Sequence, residues 1–103
     1  MNDKFLSLLG IAMKAGALSL GHDASKLSIR AGKAKACFTA ADASVRLTEE
    51  MRGLFETGSM VVLPYTMSDI RFAIGKKAGV LTVNDENFAQ KLMELTGGLS
   101  DGC

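Results

Sequence analysis

The chain has 103 residues and a formal net charge of +1, so it has room for one domain with one hydrophobic core. Apolar residues make up 48% and charged residues 22% of the sequence, a balance typical of a globular α/β domain and not of a disordered chain. A charge this close to zero gives no bulk attraction to polyanions. Any nucleic-acid role must therefore depend on the local placement of Lys and Arg.

The two cysteines do not indicate a disulfide framework. Cys37 lies in an apolar run and Cys103 is the last residue, so we expect one buried and one loose thiol, which fits a reducing cytoplasm. The apolar N-terminal segment is a poor signal peptide, because Asp3 weakens its basic start and Lys14 interrupts the small residues that follow. No stretch approaches the roughly 18 uncharged apolar residues of a membrane span.

In the first half of the chain, apolar spacing predicts three helices and two short strands. The first helix covers residues 3–14 behind a cap at Asn2 or Asp3, with an apolar stripe of Phe5, Leu8, Leu9, Ala12 and Met13. A short extended run at 18–20 precedes Gly21, which permits a tight turn into a second helix over about 23–31. Residues 35–39 are typical of a buried strand. A cap at Asp42 or Ser44 then starts a third helix, whose inner face is Leu47, Met51, Leu54 and Phe55.

The second half predicts two further strands and two further helices. Gly58 breaks the third helix, and residues 60–65 form a β-rich run up to Pro64. A cap at Thr66 or Ser68 starts a short fourth helix that stops at Gly75. Residues 80–83 are the last strand, and Asn84 or Asp85 caps a final helix. We expect residues 97–103 to form a flexible tail.

Helices and short β-rich runs alternate throughout residues 1–96. This alternation predicts a single α/β domain, in which a sheet of about four strands lies between two layers of helices. Because crossover connections in such folds are right-handed, we expect most strand pairs to be parallel.

The sequence offers little for catalysis or for metal binding. His22 is the only histidine and stands where the second helix should begin, a position that suits a polar cap residue better than a ligand. A metal site needs three or four converging ligands, and the cysteines have no partner at ligand spacing, so we expect no metal and no cofactor. Cys37 as a nucleophile would have to be exposed and activated, whereas its neighbours predict burial. Arg46 and Glu50 are spaced as a weak i,i+4 surface pair.

Basic residues form two groups that could contact phosphate. One group near the first two helix ends is Lys14, Lys26, Arg30, Lys33 and Lys35, and the group around the fourth helix is Arg71, Lys76 and Lys77. Each group alone is consistent with a solvated rim. If the groups converge on one face, several phosphate contacts and a salt-dependent affinity would follow. Most aromatic residues fall in predicted core elements, which disfavours a platform that stacks single-stranded bases.

In chain order, the segments KFLSLLGIAMKAG, LSLG, IRAGKAKACFTAADAS, VVLPY, FAIGKKAGVLTV and ENFAQKLMEL resemble the kink-turn-binding ribosomal protein family of the L7Ae and L30e type. The resemblance extends over about residues 4–95 and is strongest to the small bacterial L7Ae-like members. It implies a three-layer α/β/α sandwich with a mixed four-stranded sheet. It also implies structured RNA as the partner, recognised through its shape and through bases splayed out of A-form geometry.

The same resemblance suggests where RNA would be contacted and where this chain departs from the family. The helix that follows the first glycine typically carries Gly-x-Asn-Glu-x-x-Lys, whose polar side chains reach the sheared G·A pairs of a kink-turn. Aligned on Gly21, these three places are occupied by Asp23, Ala24 and Leu27. Lys26 stands one residue early, which rotates it by about 100° around the helix. The base-reading motif is therefore degenerate.

A second family signature, Leu-Gly-x-Ala-x-Gly, corresponds to residues 70–75. Arg71 replaces its first glycine with a bulky cation. This cation could add a phosphate contact or block an approach.

These observations lead to the hypothesis of a non-enzymatic RNA-binding protein of the L7Ae-like type, cytoplasmic and associated with the ribosome or other kink-turn-like RNA. The residues expected to contact RNA are Gly21, His22, Asp23, Lys26, Arg30, Lys33, Arg71, Lys76 and Lys77. The alternative is a protein-protein interaction module that keeps the fold without specific RNA binding. In that case an outward-facing Leu27 belongs to a protein interface. A small-molecule enzyme, the third possibility, would require a pocket with convergent polar groups.

Overall fold

The computed structural model describes residues 4–55 and 60–100, with side chains as far as residue 96. Five helices and four strands alternate along these residues: α1 Lys4–Lys14, β1 Leu18–Leu20, α2 Gly21–Arg30, β2 Ala36–Thr39, α3 Val45–Leu54, β3 Met60–Val62, α4 Met67–Ile74, β4 Val80–Val83 and α5 Glu86–Ser100. The predicted alternation is confirmed. The predicted cap at Asn2 or Asp3, the break at Gly58 and the thiol of Cys103 lie outside the described residues.

Side-chain caps settle where three of the helices begin. Ser44 Oγ accepts a hydrogen bond from a backbone N–H three residues further on, at 3.1 Å, and so caps α3. Thr66 and Asp69 form a reciprocal capping box at the start of α4, with N···O distances of 3.0 and 3.2 Å. Asp85 Oδ1 accepts from the backbone N–H of Phe88 at 3.1 Å. In each case the structure selects one of the two predicted cap residues.

The four strands form one mixed sheet in the order β1-β4-β2-β3. Only β2 and β3 are parallel neighbours, because β4 runs antiparallel to both β1 and β2. The mixed sheet of four strands is confirmed, but the expectation that most strand pairs are parallel is wrong. β1 and β2 do run in the same direction, and β4 separates them.

Helices cover both faces of the sheet, which confirms the three-layer α/β/α sandwich. α1, α4 and α5 pack on one face and α2 and α3 on the other. Alternate residues of β2 point to the two faces of the sheet. Phe38 points into the larger core, where its ring meets that of Phe5 edge-on at a centroid distance of 5.4 Å. Cys37 points into the smaller core. Cys37 is fully buried, which confirms the prediction. Burial raises the pKa of its thiol to about 12, so the thiol stays protonated at neutral pH.

Several element boundaries differ from the prediction, most by one or two residues. α2 begins at Gly21, directly after β1, and not two residues later. β3 ends at Val62, before Pro64, which has no N–H for a further ladder bond. The backbone of α5 continues to Ser100, past the predicted start of the tail at residue 97. The flexibility of the tail stays a prediction, and residues 101–103 lie outside the described part of the chain.

α2 is attached to the sheet by a polar network. Ser25 and Ser28 are its buried residues, and Ser25 Oγ donates to the carbonyl oxygen of Ser19 at 3.3 Å. Ser28 Oγ donates to Asn84 Oδ1, and Asn84 Nδ2 donates to Ser19 Oγ at 2.8 Å. Leu27 lies on the opposite side of α2 and is 69% exposed. The directional bonds therefore fix which face of α2 points to solvent.

Replacing Gly10 by alanine tests the close contact between α1 and α4. A Cβ at Gly10 would stand 2.9 Å from the carbonyl oxygen of Ala73 on α4, so the G10A variant must push the two helices apart. We expect its free energy of unfolding in urea to fall by about 1–3 kcal/mol. The matched control is G53A in α3, where the added methyl group meets no atom within 4 Å among the described residues outside its own stretch of helix, and alanine should stabilise the helix by up to about 1 kcal/mol. Equal decreases in both variants would contradict the prediction.

Replacing Asn84 by alanine tests the polar attachment of α2. The variant leaves the buried hydroxyl of Ser28 and the hydroxyl of Ser19 without the partner they have in the network. We expect the free energy of unfolding in urea to fall by about 1–3 kcal/mol, the cost of unsatisfied buried polar groups. Asn87→Ala, an exposed substitution in the first turn of α5, serves as the control and should stay within about 0.5 kcal/mol of the parent protein. A neutral Asn84 variant would show that apolar packing alone holds α2.

Candidate functional site

The candidate site is built around the joint between β1 and α2. Gly21 is the first residue of α2 and has φ of +88°, a conformation that side-chain-bearing residues rarely adopt. Leu20, immediately before it, is still extended and pairs with Leu81 at the start of β4. The first turn of α2 therefore lies at the end of the sheet where β4 begins.

The loops after β2 and β3 meet at this same end of the sheet. Asp42 Oδ1 accepts a hydrogen bond of 2.8 Å from the backbone N–H of Met67, the first residue of α4. The backbone N–H of Ala40 bonds to the carbonyl oxygen of Gly79 at 2.9 Å, just before β4. Asp42, a predicted cap for α3, thus joins two loops and orients the start of α4 instead.

This topology places some of the predicted contact residues at the same end of the sheet. His22 and Asp23 lie in the first turn of α2, and Lys76 and Lys77 lie in the connection that enters β4 at the same end of the sheet. Asp23 is almost fully exposed, with a side-chain exposure of 99%. Lys76 and Lys77 are exposed as well.

The other predicted contact residues lie elsewhere. Arg30 ends α2 and Lys33 follows it, so both are about 12 Å or more along the helix axis from His22. Arg71 is exposed on α4, in the other helix layer. The two basic groups therefore do not form one continuous patch. Gly21 has no side chain and contributes to the site only the backbone turn that starts α2.

Three of these residues form a row along α2. His22, Lys26 and Arg30 are spaced four residues apart, which places them on the same side of the helix at steps of about 6 Å. The side chains of His22 and Lys26 are 38% and 31% exposed, and Arg30 is exposed at the end of the row. We call these three residues the basic row. It can offer up to three donors to a chain of phosphates.

Sequence reasoning missed the partner of the basic row, Glu50 of α3. Glu50 Oε2 lies 2.9 Å from His22 Nε2 and 3.8 Å from Lys26 Nζ. The hydrogen bond from His22, together with the positive charges of Lys26 and Arg46, lowers the pKa of the Glu50 carboxyl group. Arg46 was the predicted i,i+4 partner of Glu50, but the close contacts come from α2. No local signal predicts this pairing, because 28 residues separate His22 from Glu50.

A shallow groove of about 430 Å³ flanks α2 on the side of β1. Its lining residues are Ser19, Ala24, Leu27, Ser28, Ala31, Lys33 and Asn84. Ala24 and Leu27 occupy the places at which the family motif has Glu and Lys. They give the groove an apolar edge above polar groups, and we call these two residues the apolar lip. This groove was not predicted from the sequence.

The second signature segment forms most of α4. Its apolar positions Ile70 and Ile74 are buried, and Gly75 ends the helix in the left-handed conformation with φ of +82°. Arg71 stands where the family has glycine and points to solvent, and Phe72 beside it is 94% exposed. The helix therefore keeps its packing role, with altered exposed residues.

Other chemistry has little structural support in the described part of the chain. No group of three His, Cys, Asp or Glu side chains there could hold a metal ion. None of the helices described is long and apolar enough to cross a membrane. What the arrangement offers is a partly exposed row of basic side chains, an adjoining groove and a turn at Gly21 that starts α2.

Comparisons with known proteins identify the family. No family model matches the sequence. The RNA-binding protein YlxQ of Enterococcus faecium is 33% identical over 99 residues, which cover 92% of this chain and 93% of the relative. A solved structure of a Bacillus halodurans protein of unknown function has a TM-score of 0.86 and 26% identity, covering 91% of this chain and 97% of that one.

The Giardia lamblia 15.5kD RNA binding protein has the same fold, with a TM-score of 0.76 and 16% identity over 98% of this chain and 92% of its own. The identity to YlxQ extends over nearly all of both chains, and it agrees with the family resemblance of residues 4–95. On these grounds the chain belongs to the L7Ae-type protein family.

Proposed function

We propose that this protein binds structured RNA through the exposed face of α2 and the adjoining end of the sheet, without catalysing a reaction. The observation that carries the proposal is the basic row on the helix that Gly21 opens, since this helix holds the RNA-contacting motif in the family it resembles. The name of its relative YlxQ, an RNA-binding protein 33% identical to this chain, supports the same partner. Phosphate contacts from His22, Lys26 and Arg30 would position the RNA.

The RNA that fits best is a kink-turn or a similarly bent helix. We expect it to belong to a ribosomal or other structured RNA in the cytoplasm. A kink brings phosphates and splayed bases close together. This arrangement suits contact with the first turn of α2 more than contact with a flat protein surface. Ala24 and Leu27 cannot hydrogen-bond to base edges. Discrimination between a kink-turn and a regular duplex would therefore depend on shape and on apolar contact with Leu27, and it would be weaker than in a protein with the full motif.

Leu27 also bears on the alternative function, a protein-interaction module. Its side chain is 69% exposed, as either function requires. The basic side chains of the row on the same helix favour RNA, because a protein interface core is usually depleted of charge.

Removing two cations of the basic row tests the proposal. We expect the double variant K26A/R30A to bind a fluorescently labelled kink-turn RNA about tenfold or more weakly than the parent protein. The slope of log K against log salt should become shallower by about one for each phosphate that the variant no longer neutralises. Fluorescence anisotropy between 50 and 200 mM KCl, with Mg²⁺ held constant, gives both quantities.

Two controls make this measurement decisive. K4A removes an exposed cation from α1, in the other helix layer, and should leave the affinity nearly unchanged. The second control is an RNA of the same length in which the kink-turn is replaced by continuous Watson–Crick pairs. Absence of binding to either RNA at low salt would refute RNA binding, and equal affinity for both would refute the kink-turn preference.

Restoring the family's lysine tests whether Leu27 lies at the RNA surface. The L27K variant adds a cation where the motif of related proteins has one. Because Leu27 is exposed, the change should not disturb the fold. We expect a several-fold increase in affinity for the kink-turn RNA and a steeper salt dependence. An unchanged affinity, with the parent protein binding RNA, would place Leu27 outside the RNA contact and favour a protein interface.

A further inference from the structure

Glu50 already contacts two of the three side chains of the basic row. One carboxylate oxygen, Oε2, contacts both His22 Nε2 at 2.9 Å and Lys26 Nζ at 3.8 Å. The carboxylate therefore hydrogen-bonds to one of the three basic side chains of the row and forms an ion pair with a second. His22 Nδ1 also lies 3.5 Å from Asp23 Oδ1, so carboxylates stand on both sides of the imidazole ring.

This carboxylate is negatively charged at neutral pH. The hydrogen bond from His22 and the surrounding cations lower its pKa from the usual range for glutamate. A phosphate that binds Lys26 approaches an ammonium group whose Nζ lies 3.8 Å from this negative charge. Charge repulsion and competition for the donor both act against the phosphate.

The contact is nevertheless easy to displace. The side chains of His22, Lys26 and Glu50 are 38%, 31% and 41% exposed, and ion pairs of this exposure are weak and are screened by salt. RNA that forms enough other contacts can separate Lys26 from Glu50, whereas RNA that relies on a single phosphate contact cannot compete as well.

We propose that Glu50 determines specificity at the RNA site by competing with phosphate for His22 and Lys26. This inference rests on the proposed function. Its consequence is a lower affinity for RNA in general, and a larger penalty for a regular duplex that offers few additional contacts. Glu50 is a positioning residue, because it acts through the cations of α2 and need not touch the RNA.

The E50Q variant tests this role, because glutamine keeps the size of the side chain and removes its charge. We expect it to bind RNA about fivefold more tightly than the parent protein, the effect of one exposed charge about 4 Å from a phosphate in water. The increase should be larger for the duplex than for the kink-turn RNA, so that the ratio of the two affinities falls. E49Q is the matched control, since Glu49 lies on the same helix and pairs with Arg52 at 3.2 Å, away from the basic row.

A double-variant cycle separates competition from a general charge effect. In the K26A background the increase in affinity from E50Q should shrink by at least half, because one of the two donors is gone. An increase of equal size in E49Q and E50Q, or an undiminished increase in the K26A background, would overturn the inference while leaving RNA binding in place. Circular dichroism of each variant verifies that the fold is retained.

Inorganic polyphosphate provides a probe that does not depend on RNA binding. If neither the parent protein nor E50Q binds RNA, the proposed function fails. Tighter binding of polyphosphate by E50Q than by E49Q would still support competition between Glu50 and phosphate. Equal binding of polyphosphate by the two variants would contradict it.

Discussion

β4 lies between β1 and β2 and runs antiparallel to both, and the geometry of the candidate site follows from this arrangement. The pairing of Leu20 with Leu81 keeps the chain extended up to the last residue before α2, so the turn must occur at a single residue. Gly21 makes that turn with a positive φ. The same pairing places the start of α2 next to the connection into β4, and the hydrogen bonds from Ala40 and Met67 bring two more loops to this end. Loop residues from four parts of the sequence thus form one surface.

α2 departs from the usual distribution of polar and apolar residues on an amphipathic helix. Its buried face carries Ser25 and Ser28, and its exposed face carries Leu27. Burial of serines would be costly if their hydroxyl groups lacked partners, but the strand residue Ser19 and the side chain of Asn84 supply them. The helix therefore has a polar contact with the sheet, a basic row towards α3 and an apolar lip towards β1. The ten residues of α2 thus carry three chemically different surfaces.

Local patterns in the sequence predicted most of the fold. Apolar spacing and cap residues located the helices and strands because these signals act over three or four residues, as at Ser44 and Thr66. Strand direction was not predictable in this way. Whether β4 pairs with β1 depends on contacts about 60 residues apart in the chain, and no local rule encodes them. The family resemblance supplied the mixed sheet, which the crossover rule alone did not.

The features of the candidate site likewise divide into those that local patterns predicted and those that depend on long-range contacts. Its location on α2 was accessible from Gly21 and the motif spacing, and so were the departures at Ala24 and Leu27. The contact of Glu50 with His22, the bonding of Asp42 to α4 and the network around Asn84 all join residues more than 20 positions apart. Each is a tertiary contact between ordinary polar residues, and such residues carry no distinguishing pattern before the chain folds.

The polar underside of α2 has a consequence for how this surface can change over time. Hydrogen bonds from Ser25 and Ser28 hold the helix in one rotational setting, and none of them involves the residues at positions 23, 24 or 27. Substitutions at those three positions can alter what the helix recognises while the scaffold presents them at the same angle. Recognition and folding are thus encoded on separate faces of a single helix, and a lineage of such proteins could exchange one ligand for another without rebuilding its core.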